Sequence, residues 1–264
     1  MWDPERCRAM FWDTPDEEVI KMEREFLTGI FTDPVKLPYR LFIPENTGNE
    51  IEKLPLALYL HGADDMGNDN RYHLTHHNSG CVFAVPFWQE HHPCFVLAPQ
   101  CPEHMAWRRG SMLDTLKALL DSVCAEYPVI DRKRLYIYGS SMGGIGTLEL
   151  IRKNPELFAG AVPICAATME EGLEAFLPTP LWLVHAEDDR IVKPWRFGAM
   201  DGKYYLGGIA LAEELKKLGK ADVSISAYPE GSLMEDMGIN PHCSWYPALN
   251  NPALKEWLFT CRKA

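Results

Sequence analysis

The sequence has no long apolar run, no surplus of basic residues and no closely paired cysteines. Its longest apolar runs have the length of a β-strand, so nothing in the chain predicts a membrane-spanning helix. Lys and Arg number 26 against 37 Asp and Glu, a net charge of −11, which disfavours a nucleic acid or an anionic membrane as partner. The eight cysteines form no C-x-x-C pair and several lie in apolar stretches, a pattern typical of reduced core thiols.

The N-terminal segment also lacks the features of a secretion signal. Residues 1–25 are rich in Asp, Glu and Arg and contain no apolar stretch, so we expect a cytoplasmic protein. No internal repeat, low-complexity tract or linker interrupts the 264 residues, 47% of which are hydrophobic. We therefore expect one domain over residues 1–264, with residues 1–24 as an N-terminal arm, acting as a monomer or small homo-oligomer.

Strand-like and helix-like segments alternate from residue 54 onward, which predicts an α/β fold with a mostly parallel sheet of about eight strands. Strands that are apolar throughout, such as residues 54–60, predict that helices cover both faces of the sheet. Residues 25–32 and 36–43 precede this region and predict an antiparallel hairpin at its edge. Further strands are predicted at 94–98, 134–138, 160–164, 181–184 and 221–228, and helices at 83–91, 111–127, 142 onward, 170–176, 206–218 and 251–260.

The most informative motif is Gly-Ser-Ser-Met-Gly at residues 139–143, which has the form G-x-S-x-G. It stands between a predicted strand and a predicted helix, where the glycines allow a sharp turn that exposes Ser141 at the end of the strand. A serine held in this way is placed to attack a carbonyl group. The alternative is an ordinary tight turn with a capping serine.

A nucleophilic serine needs a base and an acid, which follow it along the chain in the order serine, acid, histidine when the serine sits in such a turn. Among the acidic residues after the predicted strand 181–184, an H-G-x-x-D-x-x-V spacing selects Asp189, with Asp188 as the alternative. His242 is the only histidine after Asp189 and is therefore the predicted base. The remaining possibility is that these carboxylates only shape the turn.

The same reasoning predicts an oxyanion hole made by two backbone N–H groups. One belongs to Met142, the residue after the nucleophile, and the other to Ala63 or a neighbour in the loop after residues 54–60. His61 in that loop is interpreted as a residue that shapes the loop. Residues 71–80 are predicted to be a His-rich loop, in which His73, His76 and His77 form a competing cluster for a metal. They lack an H-E-x-x-H pattern or clustered cysteines, so we expect no metal and no other cofactor.

Taken together, these segments resemble the α/β-hydrolase esterases related to carbohydrate esterases, feruloyl-type esterases and predicted peptidases. The likeness runs from about residue 37 to the C-terminus. It rests on residues 60–63 with 67–70, 98–103, 138–144, the loop around Asp189, and 242–245 followed by 251–258.

The resemblance implies the α/β-hydrolase fold, with Ser141 as nucleophile, Asp189 as acid and His242 as base. It also implies that Gln100 and Trp107 lie near the substrate pocket. The expected activity is that of a carboxylesterase acting on a small-molecule ester, and the short chain favours small or aromatic acyl groups. A serine peptidase or amidase of the same fold and a non-catalytic binding protein are the alternatives.

One position and two segments depart from the sequence pattern of these esterases. Asp64 stands where a glycine is common, beside the predicted oxyanion loop. The segments 194–205 and 232–241 are longer than usual and contain exposed-looking apolar residues such as Trp195. Trp195 is predicted to contact the substrate as part of a wall or flap, although packing within the longer loops explains these residues equally well.

Overall fold

A computed structural model describes residues 16–45, 53–200 and 202–264. The strands are β1 Leu27–Phe31, β2 Leu37–Phe42, β3 Leu54–Leu60, β4 Phe95–Pro99, β5 Ile130–Ser140, β6 Gly160–Ile164, β7 Ala167–Met169, β8 Leu181–Ala186, β9 Arg196–Gly198, β10 Tyr204–Gly207 and β11 Val223–Tyr228. Eight of them form the main sheet, in the order β1-β2-β4-β3-β5-β6-β8-β11. β2 pairs antiparallel with β1 and with β4, and the other neighbours in this sheet pair parallel.

Helices connect the strands and cover both faces of the sheet. They are α1 Asp16–Glu25, α2 Tyr72–Thr75, α3 Pro86–His91, α4 Met112–Glu126, α5 Met142–Lys153, α6 Gly208–Lys217, α7 Ser232–Met237, α8 Trp245–Leu249 and α9 Pro252–Thr260. Short 3-10 turns lie at Ala63–Asp65, Ser79–Cys81, Leu173–Phe176 and Pro241–Cys243. Within the described ranges, no helix combines the length and the apolar character needed to cross a bilayer.

The core forms two apolar layers because side chains alternate between the faces of each strand. In β3, Leu56, Leu58 and Leu60 belong to the layer that packs under α4, α5 and α6. Ala57 and Tyr59 belong to the opposite layer, which α3 and α9 cover. All seven residues of β3 are buried, as expected of a strand covered on both sides. The mostly parallel sheet with its antiparallel N-terminal hairpin confirms the predicted fold class.

Three segments differ from the prediction. The stretch 194–205, interpreted as a loop, contributes to a second sheet in which β10 pairs with both β7 and β9. The Arg196 guanidinium lies 3.7 Å from the centroid of the Tyr204 ring, which helps to join β9 to β10. The segment 232–241 contains α7, and the predicted His-rich loop contains α2. These elements span three to six residues, too few for periodicity to identify them. Of the predicted arm over residues 1–24, residues 16–24 belong to α1 and residues 1–15 lie outside the described residues.

Candidate functional site

Ser141 occupies a strained turn between β5 and α5. Its backbone has φ 54° and ψ −119°, a conformation that L-amino acids rarely adopt. The turn also passes very close to the end of β3. A Cβ atom on Gly139 would lie 2.6 Å from the carbonyl oxygen of Leu60, and one on Gly143 would overlap the same carbonyl. The two glycines are therefore required by this close approach, and Ser141 is left half-buried at the strand end.

His242 connects this serine to a carboxylate. Its Nε2 atom lies 2.9 Å from Oγ of Ser141, and its Nδ1 atom lies 2.8 Å from Oδ2 of Asp189. Because an ionised carboxylate only accepts hydrogen bonds, Nδ1 carries the proton and Nε2 is free to accept the Ser141 hydroxyl proton. The imidazole sits in the turn Pro241–Cys243, where the backbone N–H of His242 donates to Oδ1 of Asn240 at 2.9 Å. The structure thus brings together the three residues selected by chain order.

Asp189, and not Asp188, is the carboxylate that contacts His242. Oδ1 of Asp189 accepts the backbone N–H groups of Ile191 at 2.8 Å and Val192 at 3.1 Å, which orients Oδ2 toward the imidazole. Asp188 instead accepts the backbone N–H of Gly231 through Oδ2 at 3.0 Å. Burial by itself would raise the pKa of Asp189. Hydrogen bonds from His185, His242 and the backbone of Ile191 outweigh burial and hold that pKa below its ordinary value.

His185 is a member of this network that sequence reasoning missed. Its Nδ1 accepts the backbone N–H of Gly208 at 3.0 Å, so the proton of the neutral ring is on Nε2. Nε2 lies 2.9 Å from the carbonyl oxygen of Val192 and 3.2 Å from Oδ2 of Asp189. The signal was present in the sequence, because His185 lies four residues before Asp189, near the end of β8, and opens the motif that selected the acid.

The two backbone groups predicted for the oxyanion hole stand at the starts of helical turns near Ser141. Met142 is the first residue of α5, and Ala63 is the first residue of the turn Ala63–Asp65, so neither N–H has an acceptor within its own turn. The preceding Gly62 is close to the serine, since a Cβ atom placed on it would lie 3.9 Å from Cβ of Ser141. Asp64, next to Ala63, is exposed to solvent.

Gln100 and Trp107, which the resemblance placed near the substrate pocket, lie beneath this loop. Both side chains are fully buried. Nε2 of Gln100 donates to Asp69 at 2.8 Å and its Oε1 accepts the N–H of Asn70 at 2.6 Å. Nε1 of Trp107 donates to the carbonyl oxygen of His61 at 2.9 Å. The side chains of Gln100 and Trp107 therefore support the loop after β3.

His61 also has a supporting role in the loop. Its Nδ1 donates to the carbonyl oxygen of Gly62 at 2.6 Å and its Nε2 accepts the N–H of Cys101 at 2.8 Å. Burial, followed by the neighbouring His73, lowers the pKa of His61 to about 3. The ring is therefore neutral and both of its nitrogen atoms are engaged, which agrees with its interpretation as a loop-shaping residue.

Two cavities flank the acid loop. The larger, of about 570 Å³, is lined by Trp195 together with residues of the loop after β8 and of β9, including Asp188, Arg190 and Phe197. The smaller, of about 320 Å³, lies between that loop and the segment before His242 and includes Met234, Asn240 and Pro241. Ser141 is not among the residues that line these two cavities, whereas Trp195 lines the larger one.

The three histidines considered as metal ligands do not form one cluster in the structure. His73 is buried, and its Nε2 lies 2.9 Å from the carbonyl oxygen of Ala98. His76 and His77 instead group with Asp65, and ligand atoms of these three residues lie within 4.8 Å of one another. The carboxylate comes from the loop after β3, a partner that spacing along the sequence did not indicate.

The chain is similar to several solved hydrolase structures. It is 36% identical to a thermostable esterase, with a TM-score of 0.82 over 92% of this chain and 64% of that one. It is 16% identical to the acylaminoacyl peptidase of Pyrococcus horikoshii, with a TM-score of 0.60 over 94% of this chain and 44% of that one. For the S-formylglutathione hydrolase of Staphylococcus aureus the identity is 17% and the TM-score 0.61, over 89% and 96% of the two chains.

The chain therefore spans about two-thirds of the length of the thermostable esterase and less than half of the peptidase. Neither a protein-family model nor a curated protein sequence matches it.

Proposed function

We propose that this chain, which has the α/β-hydrolase fold, is a serine hydrolase that cleaves carboxylic esters through an acyl-enzyme on Ser141. The observation that carries the proposal is the 2.9 Å contact between Oγ of Ser141 and Nε2 of His242, made by a serine held in a strained turn. Strain of this kind persists at functional positions because the surrounding structure enforces it. An ordinary capping serine needs neither the strain nor a paired histidine.

In the proposed reaction, Oγ of Ser141 attacks the carbonyl carbon of the ester while its proton moves to Nε2 of His242. The carbonyl oxygen becomes negative and is stabilised by the N–H groups of Met142 and Ala63. The tetrahedral intermediate collapses, the bond to the alcohol breaks, and the alcohol leaves with the proton from His242. Water then attacks the acyl-enzyme by the same relay, which releases the acid and restores Ser141.

Asp189 supports this relay without taking the proton itself. Its carboxylate holds the imidazole in the tautomer that leaves Nε2 unprotonated, and its negative charge stabilises the imidazolium ion that forms during attack. The lowered pKa of Asp189 keeps this charge in place at neutral pH. The network needs no cofactor for ester hydrolysis.

Esters are the favoured substrate class because the match at 36% identity is to an esterase, whereas the match to a peptidase is at 16% identity. A serine amidase or peptidase uses the same three residues against a poorer leaving group and is the second candidate. Within the ester class we propose small or aromatic acyl groups.

We further propose a reducing compartment such as the cytoplasm as the working environment. The cysteines within the described residues are free, and all of them except Cys243 are buried. Disulfides are common in oxidising compartments and rare in the cytosol, which favours this placement.

Covalent labelling tests the proposal directly. A fluorophosphonate probe is expected to label the wild-type chain at Ser141, with no labelling of Ser141→Ala and unchanged labelling of Ser111→Ala, whose serine is exposed before α4. Absence of an adduct at Ser141 in folded protein would favour a non-catalytic binding protein. A panel of p-nitrophenyl esters of increasing acyl length, feruloyl esters and aminoacyl amides separates the two enzyme classes, because faster turnover of the amides would contradict the ester assignment.

A further inference from the structure

Three metal-ligating side chains converge beside the loop after β3, outside the triad. Oδ1 of the buried Asp65 lies 2.8 Å from Nδ1 of His76, and the rings of His76 and His77 have centroids 3.8 Å apart. We propose that Asp65, His76 and His77 form a binding site for a divalent transition metal ion of the Zn²⁺ class, with a fourth coordination position open to solvent on the exposed side of His76.

The donor set matches this class of ion. Imidazole nitrogen atoms favour Zn²⁺ and its neighbours over Mg²⁺ and Ca²⁺, which prefer oxygen ligands. Ligands bound about 2.0 to 2.2 Å from a tetrahedral Zn²⁺ lie roughly 3 to 4 Å apart. The ligand atoms of Asp65, His76 and His77 all lie within 4.8 Å of one another, so only small side-chain movements are needed to close around an ion.

The backbone around the three side chains is held in place. The N–H of Asp65 donates to the carbonyl oxygen of Gly62 at 3.3 Å, and Nε2 of Gln100 donates to the carbonyl oxygen of Asp65 at 3.4 Å. His76 follows α2 directly, and its N–H donates to the carbonyl oxygen of Tyr72 at 2.9 Å. A site whose ligands are already positioned loses little conformational entropy when the ion binds.

A hydroxyl group orients the third ligand. Nδ1 of His77 lies 2.8 Å from the hydroxyl oxygen of Tyr246, so a proton on Nδ1 directed at Tyr246 leaves Nε2 available for an ion. Ligating histidines are usually held by such a hydrogen bond from the ring nitrogen that does not bind the metal.

Charge provides further support. The Asp65 carboxylate is 1% exposed and lies 2.8 Å from Nδ1 of His76. A buried carboxylate with one imidazole partner is incompletely compensated, and a divalent cation would supply the missing positive charge.

The proposed ion lies close to the candidate triad without belonging to it. The ring of Trp245 contacts His77 at 5.5 Å between centroids and His242 at 5.7 Å. Asp65 ends the same short turn that Ala63 begins. A bound ion would therefore connect the loop after β3, through His77 and Trp245, with the segment that carries His242. We expect the bound ion to raise the thermal stability of these two segments.

Metal binding is tested on chelator-treated protein. Calorimetric titration with Zn²⁺ is expected to show one ion per chain with no comparable binding of Mg²⁺, and Co²⁺ is expected to give visible absorption of a low-coordinate site. His76→Gln and His77→Gln should each weaken Zn²⁺ binding at least tenfold, while His91→Gln, an exposed histidine on α3, should leave it unchanged. Ser141→Ala should bind Zn²⁺ like the wild type, which separates this test from that of the proposed function.

Two results would overturn the site. If the wild-type protein binds no Zn²⁺, Asp65 and His76 form only a hydrogen bond. If the wild type and both histidine variants bind Zn²⁺ with equal affinity, the ion binds elsewhere, for example at thiols. If far-ultraviolet circular dichroism shows that these variants do not fold, Tyr246→Phe provides the test. Loss of the orienting hydrogen bond is expected to weaken Zn²⁺ binding by about tenfold, and unchanged affinity in that variant rejects the proposal.

Discussion

Nε2 of His185 lies 3.2 Å from Oδ2 of Asp189, and neither side chain has any exposed surface. The same carboxylate oxygen receives Nδ1 of His242, so two imidazoles converge on one atom of the acid. His185 touches neither Ser141 nor, in the proposed reaction, the substrate. We therefore infer that it acts as a positioning residue, which holds Asp189 at the angle that His242 requires.

Replacing His185 with Phe should lower kcat/KM about tenfold or more, because a hydrogen bond to a charged group contributes about 1.5 to 3 kcal/mol. The loss is expected mainly in kcat. The hydrogen bond from His185 lowers the pKa of Asp189, so its removal should raise that pKa in the folded chain, which NMR titration of the Asp189 carboxyl carbon measures. His185→Gln, which keeps a donor, should recover part of the rate. Equal losses of rate in His185→Phe and His185→Gln would indicate a purely structural role.

Asp189→Asn should reduce kcat by roughly 10⁴, as expected when the tautomer of the base is no longer enforced. Esterase kinetics at neutral pH measure this effect, with Asp188→Asn as the matched control because Asp188 contacts Gly231 instead of His242. An equal loss of rate in the two variants would contradict the assignment of the acid.

The pH dependence of stability should also report Asp189. Its pKa is lower in the folded chain than the ordinary value of about 4, so the folded state binds this proton less readily than the unfolded state does. The contribution to the free energy of unfolding is therefore complete above about pH 4 and declines as the pH falls below it. Urea unfolding of wild type and Asp189→Asn at pH 7, 5 and 3 should show the difference between them shrinking toward low pH.

Relief of backbone strain predicts that Ser141→Gly is more stable than Ser141→Ala. With φ 54° and ψ −119°, Ser141 occupies a region that glycine adopts without penalty, and the strain is worth about 1 to 3 kcal/mol. Both variants lack the hydroxyl, so they differ mainly in this strain. Urea unfolding compares them, and an alanine variant that is equally or more stable would show that the turn is relaxed.

Gly143→Ala should destabilise the fold by about 3 kcal/mol or more, because the new methyl group overlaps the carbonyl of Leu60 where β3 and the turn meet. Gly219→Ala is the control. Gly219 has φ 84° but no atom within 4 Å of the added Cβ, so it should lose only about 1 kcal/mol from backbone strain. Thermal unfolding distinguishes the two, and comparable losses would remove the steric explanation.

Much of the fold followed from local patterns. Apolar residues throughout 54–60 indicated a strand covered on both faces, and Gly139 and Gly143 indicated the sharp turn around Ser141, because each pattern is contained in a few consecutive residues. The strands β9 and β10 of the second sheet were not predicted from such patterns. Its strands are three and four residues long, and they are held by pairing with β7 and by the contact between Arg196 and Tyr204.

The sequence by itself indicated the main strand segments, the position of the turn and the candidate serine, histidine and acid, because apolar runs, glycine spacing and chain order can be read along the chain. Only the tertiary structure decided that His185 contacts Asp189, that Gln100 and Trp107 lie inside the protein, and that Asp65 contacts His76. These outcomes depend on the direction in which each side chain points once the loops are folded. Ser141 and His242 are 101 positions apart, and contacts over such distances are set by packing of the whole sheet and its helices.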